Sequence, residues 1–386
     1  MAGILCISNV QAVEQAKVEG IKLGTGYLYP IFDMTLSHDD NIFLQESQEK
    51  SSNIVLVSPK FKYELEGEAS LLSFNLNVDE AHYLSSHDDD YTDLDTMAQA
   101  AFFPSSRVTV IGSARYGEGH EARGSEGTAG ATATVFKHPN EYHEKEFAGQ
   151  LHYGIEELGA PRAEIELSHR DRKFDNNRAQ TRSDDIKANE LKASLFYKVM
   201  PNTSLLLEGA AADYVYENGT RDSKKYRLLA GLEWAATYQT TGVLKVGWSE
   251  KDFDSSNFRD PSGSSWEVGI RWRPLSYSEF TLSTSKDFNN VSAGSGSYSG
   301  DKVLALSWRH EWFGHFSTTA DVIFSESKYG AIARENEINT YGLKAEYQAK
   351  QNLRFSLGYT YSERDSNQAG LDYDSNVVGL HMSWEI

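Results

Sequence analysis

One unit recurs along this chain: an alternating apolar and polar run, a very short polar turn, a second alternating run, and then a longer loop of Asp, Asn and Ser. It is clearest in ELKASLFYKVMPNTSLLLEGAAADYVYENG, KKYRLLAGLEWAATYQTTGVLKVGWSEKDFDSS and INTYGLKAEYQAKQNLRFSLGYTYSERDSN. Period-two alternation sends successive side chains to opposite faces of a strand, and minimal turns make neighbouring strands antiparallel. An antiparallel meander with minimal turns at one end and long acidic loops at the other is the pattern of a transmembrane up-and-down β-barrel, in which each tilted strand needs about 9–11 residues. A soluble β-sandwich or propeller predicts neither this asymmetry nor an apolar face on every strand with no second sheet to cover it.

Individual runs carry the alternation in detail. In Trp266–Arg273, residues Trp266, Val268, Ile270 and Trp272 share one face, and Glu267, Gly269, Arg271 and Arg273 the other. In Leu353–Tyr361 the split is Leu353, Phe355, Leu357, Tyr359 and Tyr361 against Arg354, Ser356, Gly358 and Thr360. Phe147, Gly149, Leu151, Tyr153 and Ile155 form a further apolar face, as do Tyr226, Leu228, Ala230, Leu232 and Trp234. The first strand is read at Tyr27–Ser37 and the last at Gly379–Ile386, which ends on Ile rather than on the aromatic common at such termini.

Short connections are expected at Gly67–Ser70, Pro104–Arg107, Leu158–Pro161, Met200–Thr203, Gln239–Gly242, Leu275–Ser278, Phe313–His315 and Ala349–Asn352. With both termini on the periplasmic side, these turns predict about 18 strands, an even number as bacterial single-chain barrels have. The long Gly117–His143 stretch leaves room for an extra hairpin or a plug.

Composition excludes rival classes. The chain is 39% hydrophobic and its mean hydropathy is −0.52. With no run of about 18 apolar residues it cannot be a helical membrane protein, whereas a barrel turns every second residue to a polar interior. The 21 Tyr, 18 Phe and 7 Trp suit interfacial girdles, though soluble β proteins favour aromatics too. A net charge of −19 argues against a nucleic-acid partner. Cys6 is the single cysteine, so no disulfide or thiolate metal site is available.

The opening MAGILCISNVQAVEQA reads as residues 1–16 of a residual signal segment lacking a basic start, with cleavage after Ala12 or Ala16, and a plain N-terminal tail is the alternative. Acylation of Cys6 fits less well, because Leu5 before it is large. Residues 17–386 are read as a single barrel.

The stretch YLYPIFDMTLSHDDNIFLQESQEKSSNIVLVSPKFKYELEGE resembles the β-barrel porin 2 family of outer-membrane barrels. The resemblance rests on the Tyr-Pro opening strand, on His38-Asp39-Asp40-Asn41-Ile42-Phe43 where the family has Tyr-Asp-Asp-Asn-hydrophobic-Phe, and on the serine run ending at Ser58-Pro59. A second match is Asp88-Asp89-Asp90-Tyr91-Thr92-Asp93, after a strand ending at Tyr83. His38 departs from the family Tyr. The resemblance implies a bacterial outer-membrane location and a part in moving or assembling a secreted exopolysaccharide or capsule. Implied partners are outer-membrane lipid, lipopolysaccharide, an anionic polysaccharide and other export proteins.

Function in a barrel lies on the lumen face. Alternation turns Arg107, Arg115, Arg162, Arg170, Lys192, Lys198, Arg227, Lys245, Arg271, Arg273, Arg309, Lys344 and Arg354 inward, with Glu164, Glu166, Glu233, Glu267 and Glu346. Of these, Arg162, Arg170, Arg227, Lys245, Arg271, Arg273, Arg309 and Arg354 are the candidate ligand path, a cationic track suited to carboxylates or sulfates. The simpler reading is a wall of Arg–Glu pairs that compensate one another and stiffen the barrel.

Three acidic loop clusters, Asp39/Asp40, Asp88/Asp89/Asp90/Asp93 and Asp372/Asp374, offer oxygen ligands for Ca²⁺ but lack EF-hand spacing, so solvated carboxylates and no cofactor are expected. His82, His87, His120, His143, His152, His169, His310 and His315 are scattered, with no GxSxG or HExxH motif, and no enzyme is expected. Trp248, Trp266, Trp272 and Trp308 are placed outward, in the girdles. The expectation is therefore an outer-membrane barrel of about 18 strands serving exopolysaccharide export. A general diffusion porin, favoured if Gly117–His143 folds inward, and an outer-membrane hydrolase are the alternatives.

Overall fold

The structure is a computed structural model and describes residues 20–237 and 239–386, so the leader segment and Cys6 lie outside the described residues. Among the described residues, nineteen strands form one antiparallel sheet. They are β1 (Ile21–Leu23), β2 (Gly26–Asp39), β3 (Ser52–Gly67), β4 (Ser70–Tyr83), β5 (Tyr91–Ser105), β6 (Val108–Glu121), β7 (Asn140–Gly154), β8 (Pro161–Phe174), β9 (Ile186–Met200) and β10 (Thr203–Tyr216). They continue as β11 (Ser223–Thr237), β12 (Thr240–Phe253), β13 (Ser262–Leu275), β14 (Ser278–Asn289), β15 (Ser299–Phe313), β16 (Phe316–Tyr329), β17 (Glu335–Lys350), β18 (Leu353–Ser366) and β19 (Tyr373–Glu385).

The sheet closes on itself. β19 pairs with β2 from Val377↔Asp39 to Glu385↔Ile31, and the Ile386 amide donates to the Pro30 carbonyl at 2.9 Å. Where β19 runs out, β1 takes over the same edge of β2 across Gly26–Leu28, which leaves eighteen strands, β2 to β19, in the ring. Closure removes the exposed edge of an open sheet and lets every backbone polar group bond within the protein, as lipid requires.

Burial is inverted relative to a soluble protein. Leu228, Val246, Leu343 and Leu357 are more than half exposed and form the lipid face, whereas the buried side chains include Ser249, Ser265, Ser317, Ser356 and Ser375 on the inner wall. Girdle aromatics stack along the outer wall near the short turns, with Trp272, Phe280 and Trp308 in succession at centroid distances of 5.3 and 6.1 Å.

All eight expected turns join consecutive strands. Several ladders slip register beside them, at Phe102/Ser105, Trp234/Thr237, Trp272/Leu275 and Gln348/Lys350 among others. The slipped strand then donates an amide to the previous turn, as in Phe103 to Ala69, Ala235 to Asn202 and Gln348 to His315, each at 2.8 Å. Such bulges add local twist. Arg107 sits exposed in a turn between β5 and β6 and not on the wall, because the ladder ends at Ser105↔Val108.

At the other end nine loops connect the strands: L1 (40–51), L2 (84–90), L3 (122–139), L4 (175–185), L5 (217–222), L6 (254–261), L7 (290–298), L8 (330–334) and L9 (367–372). No extra hairpin forms in the Gly117–His143 stretch. The β6–β7 ladder runs from Val108↔Tyr153 to Glu121↔Asn140, and L3 beyond it contains the 3-10 turns Glu126–Thr128 and Gly130–Thr134. L3 lies across the mouth instead.

Candidate functional site: the lumen wall and the outer mouth

All eight candidate path residues stand beside carboxylates. Arg162 meets Glu233 at 3.1 Å and also pairs with Glu156 and Glu164, while Arg170 reaches Glu144 at 4.0 Å. Arg271 and Arg273 share Glu279 at 3.5 and 2.5 Å, Arg309 meets Glu346 at 3.5 Å, and Arg354 meets Glu385 at 3.3 Å. Arg227 and Lys245 belong to one network. Glu208 accepts from both, at 3.0 and 3.1 Å, Glu267 takes Lys245 at 2.8 Å, and Asp287 links Arg227 to Lys225. The wall is thus largely self-compensated. A polar niche of about 450 Å³ remains at the closing seam, lined by Asp33, Lys344, Glu346, Arg354 and His381.

The outer mouth is built differently. L3 springs from β6 and β7, yet its 3-10 turn Glu126–Thr128 packs on Ala293–Ser295 of L7, which leaves the ring between β14 and β15, eight strands further round. L3 therefore crosses the lumen. On the way Arg123 grips Asp89 of L2 through two bonds, of 2.7 and 2.5 Å, and lies 4.4 Å from the centre of the Phe43 ring of L1. Two glycines make the crossing sterically possible. Gly124 (φ +89) passes so close to the Phe43 backbone that no side chain fits, and a Cβ at Gly130 (φ +68) would sit 2.6 Å from the Gly370 carbonyl of L9.

L7 is held from the far side as well. Arg221 of L5 pairs with Asp184 of L4 at 2.5 Å and donates to the carbonyls of Ser183 and Val291, while the Ala293 amide donates to Asp184 at 2.7 Å. Burial pushes the Asp184 carboxyl up despite the opposing pull of Arg221. In the same loop Arg178 grips Asp185, and that hydrogen bond raises the guanidinium above its ordinary value.

Much of the acidic excess has a structural use here. The backbone amides that end the outgoing strands donate to aspartates that open the returning ones: Tyr83 to Asp90 (2.6 Å), Phe174 to Asp185 (2.9 Å), Tyr216 to Asp222 (2.7 Å), Phe253 to Asp260 (2.8 Å) and Ser366 to Asp372 (2.8 Å). Asp39 and Asp40 bind Asn41, Ser375 and Asn376, and Asp93 binds His120. The first five carboxylates close loops, whereas Asp39 and Asp40 tie the closing seam and Asp93 ties β5 to β6. No cluster of three or more potential metal ligands occurs among the described residues.

Sequence reasoning missed the buried cations of the mouth: Arg123, Arg221, Lys251, Arg334 and Arg364. Each lies over an aromatic ring, with Arg221 4.1 Å from Tyr216, Arg334 4.1 Å from Tyr329 and Arg364 4.5 Å from Tyr373. Aromatic faces replace part of the hydration a buried cation loses. A signal did exist in the repeated Tyr-x-x-x-x-Arg of YENGTR (Tyr216–Arg221) and YGAIAR (Tyr329–Arg334).

Known proteins agree with this architecture. Residues 16–385 match the family model described as Putative beta-barrel porin 2. No curated protein matches the chain. Among solved structures it is similar to Pseudomonas aeruginosa OccK2 (OpdF) in complex with glucuronate, at 10% identity and a TM-score of 0.53, covering 94% of this chain and 99% of that one. Acinetobacter baumannii OccAB4 is similar at 11% identity and a TM-score of 0.50, covering 93% and 98%. The chain spans only 62% of the FrpB iron transporter from Neisseria meningitidis (F3-3 variant), with 87% of its own length, 8% identity and a TM-score of 0.49. By the family model that runs over nearly its whole length, and by the closed eighteen-stranded ring, the chain belongs to the Putative beta-barrel porin 2 family and is a bacterial outer-membrane β-barrel of porin type.

Proposed function

We propose that this barrel is a diffusion channel for small acidic sugars, restricted at its outer mouth. The observation that carries the reading is the crossing of L3 to L7 and L9, which replaces an open mouth with a lattice of loop contacts. Eighteen strands leave an aqueous interior, so the mouth and not the ring sets the size limit. Arginines along the wall, although paired, offer forked donors that a passing carboxylate can share with their glutamate partners. OccK2 was solved in complex with glucuronate, which makes a hexuronate a sensible first solute to try.

The expected role in exopolysaccharide export is the second reading. It needs L3 and L7 to part, and their junction is small and polar: Gly127 stands over the Ser292 hydroxyl, and Gly294 faces the Gly127 carbonyl. Single-channel conductance in planar bilayers separates the two. A small-solute channel conducts as the wild type, and glucuronate reduces the current while an acidic polysaccharide added outside does not. Arg123→Ala, which frees L3 from Asp89, raises the conductance. Current in the wild type that an acidic polysaccharide blocks and glucuronate does not would favour the polymer path.

A further inference from the structure

We infer that the outer mouth holds an oxyanion site between Arg334 and Arg364, which takes the carboxylate or sulfate group of a solute. Arg334 and Arg364 are 7% and 8% exposed, and among the described residues neither has an ion-pair partner. All the arginines on the candidate path pair with Glu or Asp, and so do the buried Arg123 and Arg221, so Arg334 and Arg364 are exceptions to the rule of this barrel. Arg334 is surrounded by neutral groups at long range: Asn336 at 3.3 Å, Ser295 at 3.4 Å and the Tyr329 hydroxyl at 3.3 Å. Arg364 spends its Nε on the Leu371 carbonyl at 2.5 Å, and its Nη2 is buried without any hydrogen-bond partner.

The two converge on one spot. Asn336 Oδ1 accepts from both Arg334 Nε and the Ser366 hydroxyl, and Ser366 is the next lumen-facing residue after Arg364 on β18. Two buried like charges with spare donors repel each other, and burying a guanidinium without a counter-charge is costly. An oxyanion bridging them would satisfy the empty Nη2 and cancel that repulsion, and the fork of each guanidinium matches the spacing of two oxygens. The roof is formed by L7 through Ser295 and by L9 through Leu371, against which Gly130 of L3 is packed. An anion held here would brace the loops that restrict the mouth. Only the source of the oxyanion, a passing acidic sugar, rests on the channel reading.

The test is calorimetric titration of the refolded full chain in detergent with inorganic sulfate, D-glucuronate and D-glucose, on wild type, Arg334→Gln, Arg364→Gln and the exposed-loop control Arg259→Gln, with heat-modified gel mobility confirming that each barrel is folded. Saturable binding of sulfate and glucuronate but not glucose is expected, weakened about tenfold or more in either site variant and unchanged in the control. Tighter binding of glucuronate than of sulfate would assign the site to the sugar acid, and the reverse order to a free inorganic oxyanion. The inference is overturned if wild type binds neither anion, or if folded Arg364→Gln and Arg334→Gln bind them as wild type does. The channel reading is judged separately: conductance without anion binding removes the site and keeps the channel, and binding without conductance does the opposite.

Discussion

Two regions of the lumen bury cations, and they do so by opposite means. At mid-wall Lys245 and Arg227 sit among Glu208, Glu267 and Asp287, so charge is answered by charge. At the mouth Arg334, Arg364 and Lys251 are equally buried, but their neighbours are aromatic rings, amides and hydroxyls, with Asn290 serving Lys251. The mid-wall network is complete without a ligand, and its natural role is to hold the ring rigid. The mouth carries unanswered charge at the strand ends and on L8, where an arriving anion is the missing partner.

Breaking the mid-wall network is expected to have the largest effect. Glu208 is 6% exposed and serves two cations, so Glu208→Gln should cost about 3 kcal/mol of stability by leaving buried charge under-compensated. Urea unfolding in lipid vesicles measures it. Adding Lys245→Met to Glu208→Gln should recover much of the loss, because a buried ion pair replaced whole is often neutral. A Glu208→Gln barrel as stable as wild type would mean that water already screens the wall.

The mouth should respond with the opposite sign. Arg364→Met removes a buried charge that lacks a counter-ion and keeps an apolar side chain of similar reach, so in anion-free buffer it should leave stability unchanged or raise it by about 1–2 kcal/mol. The same urea titration reads this, and a loss of several kcal/mol would erase the contrast between the two regions.

That contrast also marks what the sequence could reveal. Strand positions, turns and the lipid face were legible because period two is imposed residue by residue, and Leu353–Tyr361 announces its two faces without help from the rest of the chain. Wall residues could be named, Arg271 and Arg273 for example, but their pairing with Glu279 depends on the β13–β14 register. The mouth was illegible. L3 meets L7 and L9 through Gly127, Ser292 and Gly370, small residues with no periodicity, and Arg334 meets Asn336 and Ser295 only because L8 and the start of β17 converge with L7. The acidic runs looked like solvated surface or Ca²⁺ ligands because nothing local shows an aspartate reaching back to the amide that ended the previous strand.

A smaller effect tests those loop-closing aspartates. Asp222→Ala removes the acceptor of the Tyr216 amide, bonded at 2.7 Å, and should cost about 1 kcal/mol. Asp222→Asn keeps an oxygen in place and should cost less. Proteolysis of L5, faster in the alanine variant, is the measurement, and equal rates in both variants and wild type would deny the bond any part in closing the loop.

The smallest expected effect is a pH dependence in which two loop carboxylates pull in opposite directions. Burial pushes Asp90 up, but hydrogen bonds from the Tyr83 amide, His82 and His87 outweigh it and hold the group below the usual 3.8. Its contribution to stability is therefore present above 3.8 and lost as the pH falls through the folded-state value. Asp184 is raised above 3.8 by burial, so its contribution is full below 3.8 and disappears as the pH rises through its folded value. Acidification from neutrality should therefore first relieve the L4 side of the mouth, which holds L7, and only at lower pH weaken L2, which holds Arg123 of L3. Carboxyl carbon-13 titration of the refolded barrel reads both groups directly, with midpoints expected on opposite sides of 3.8. Asp184 titrating below 3.8 would mean that its ties to Arg221 and the Ala293 amide outweigh its burial, and Asp90 titrating above 3.8 would mean that the bonds from Tyr83, His82 and His87 do not hold L2 closed.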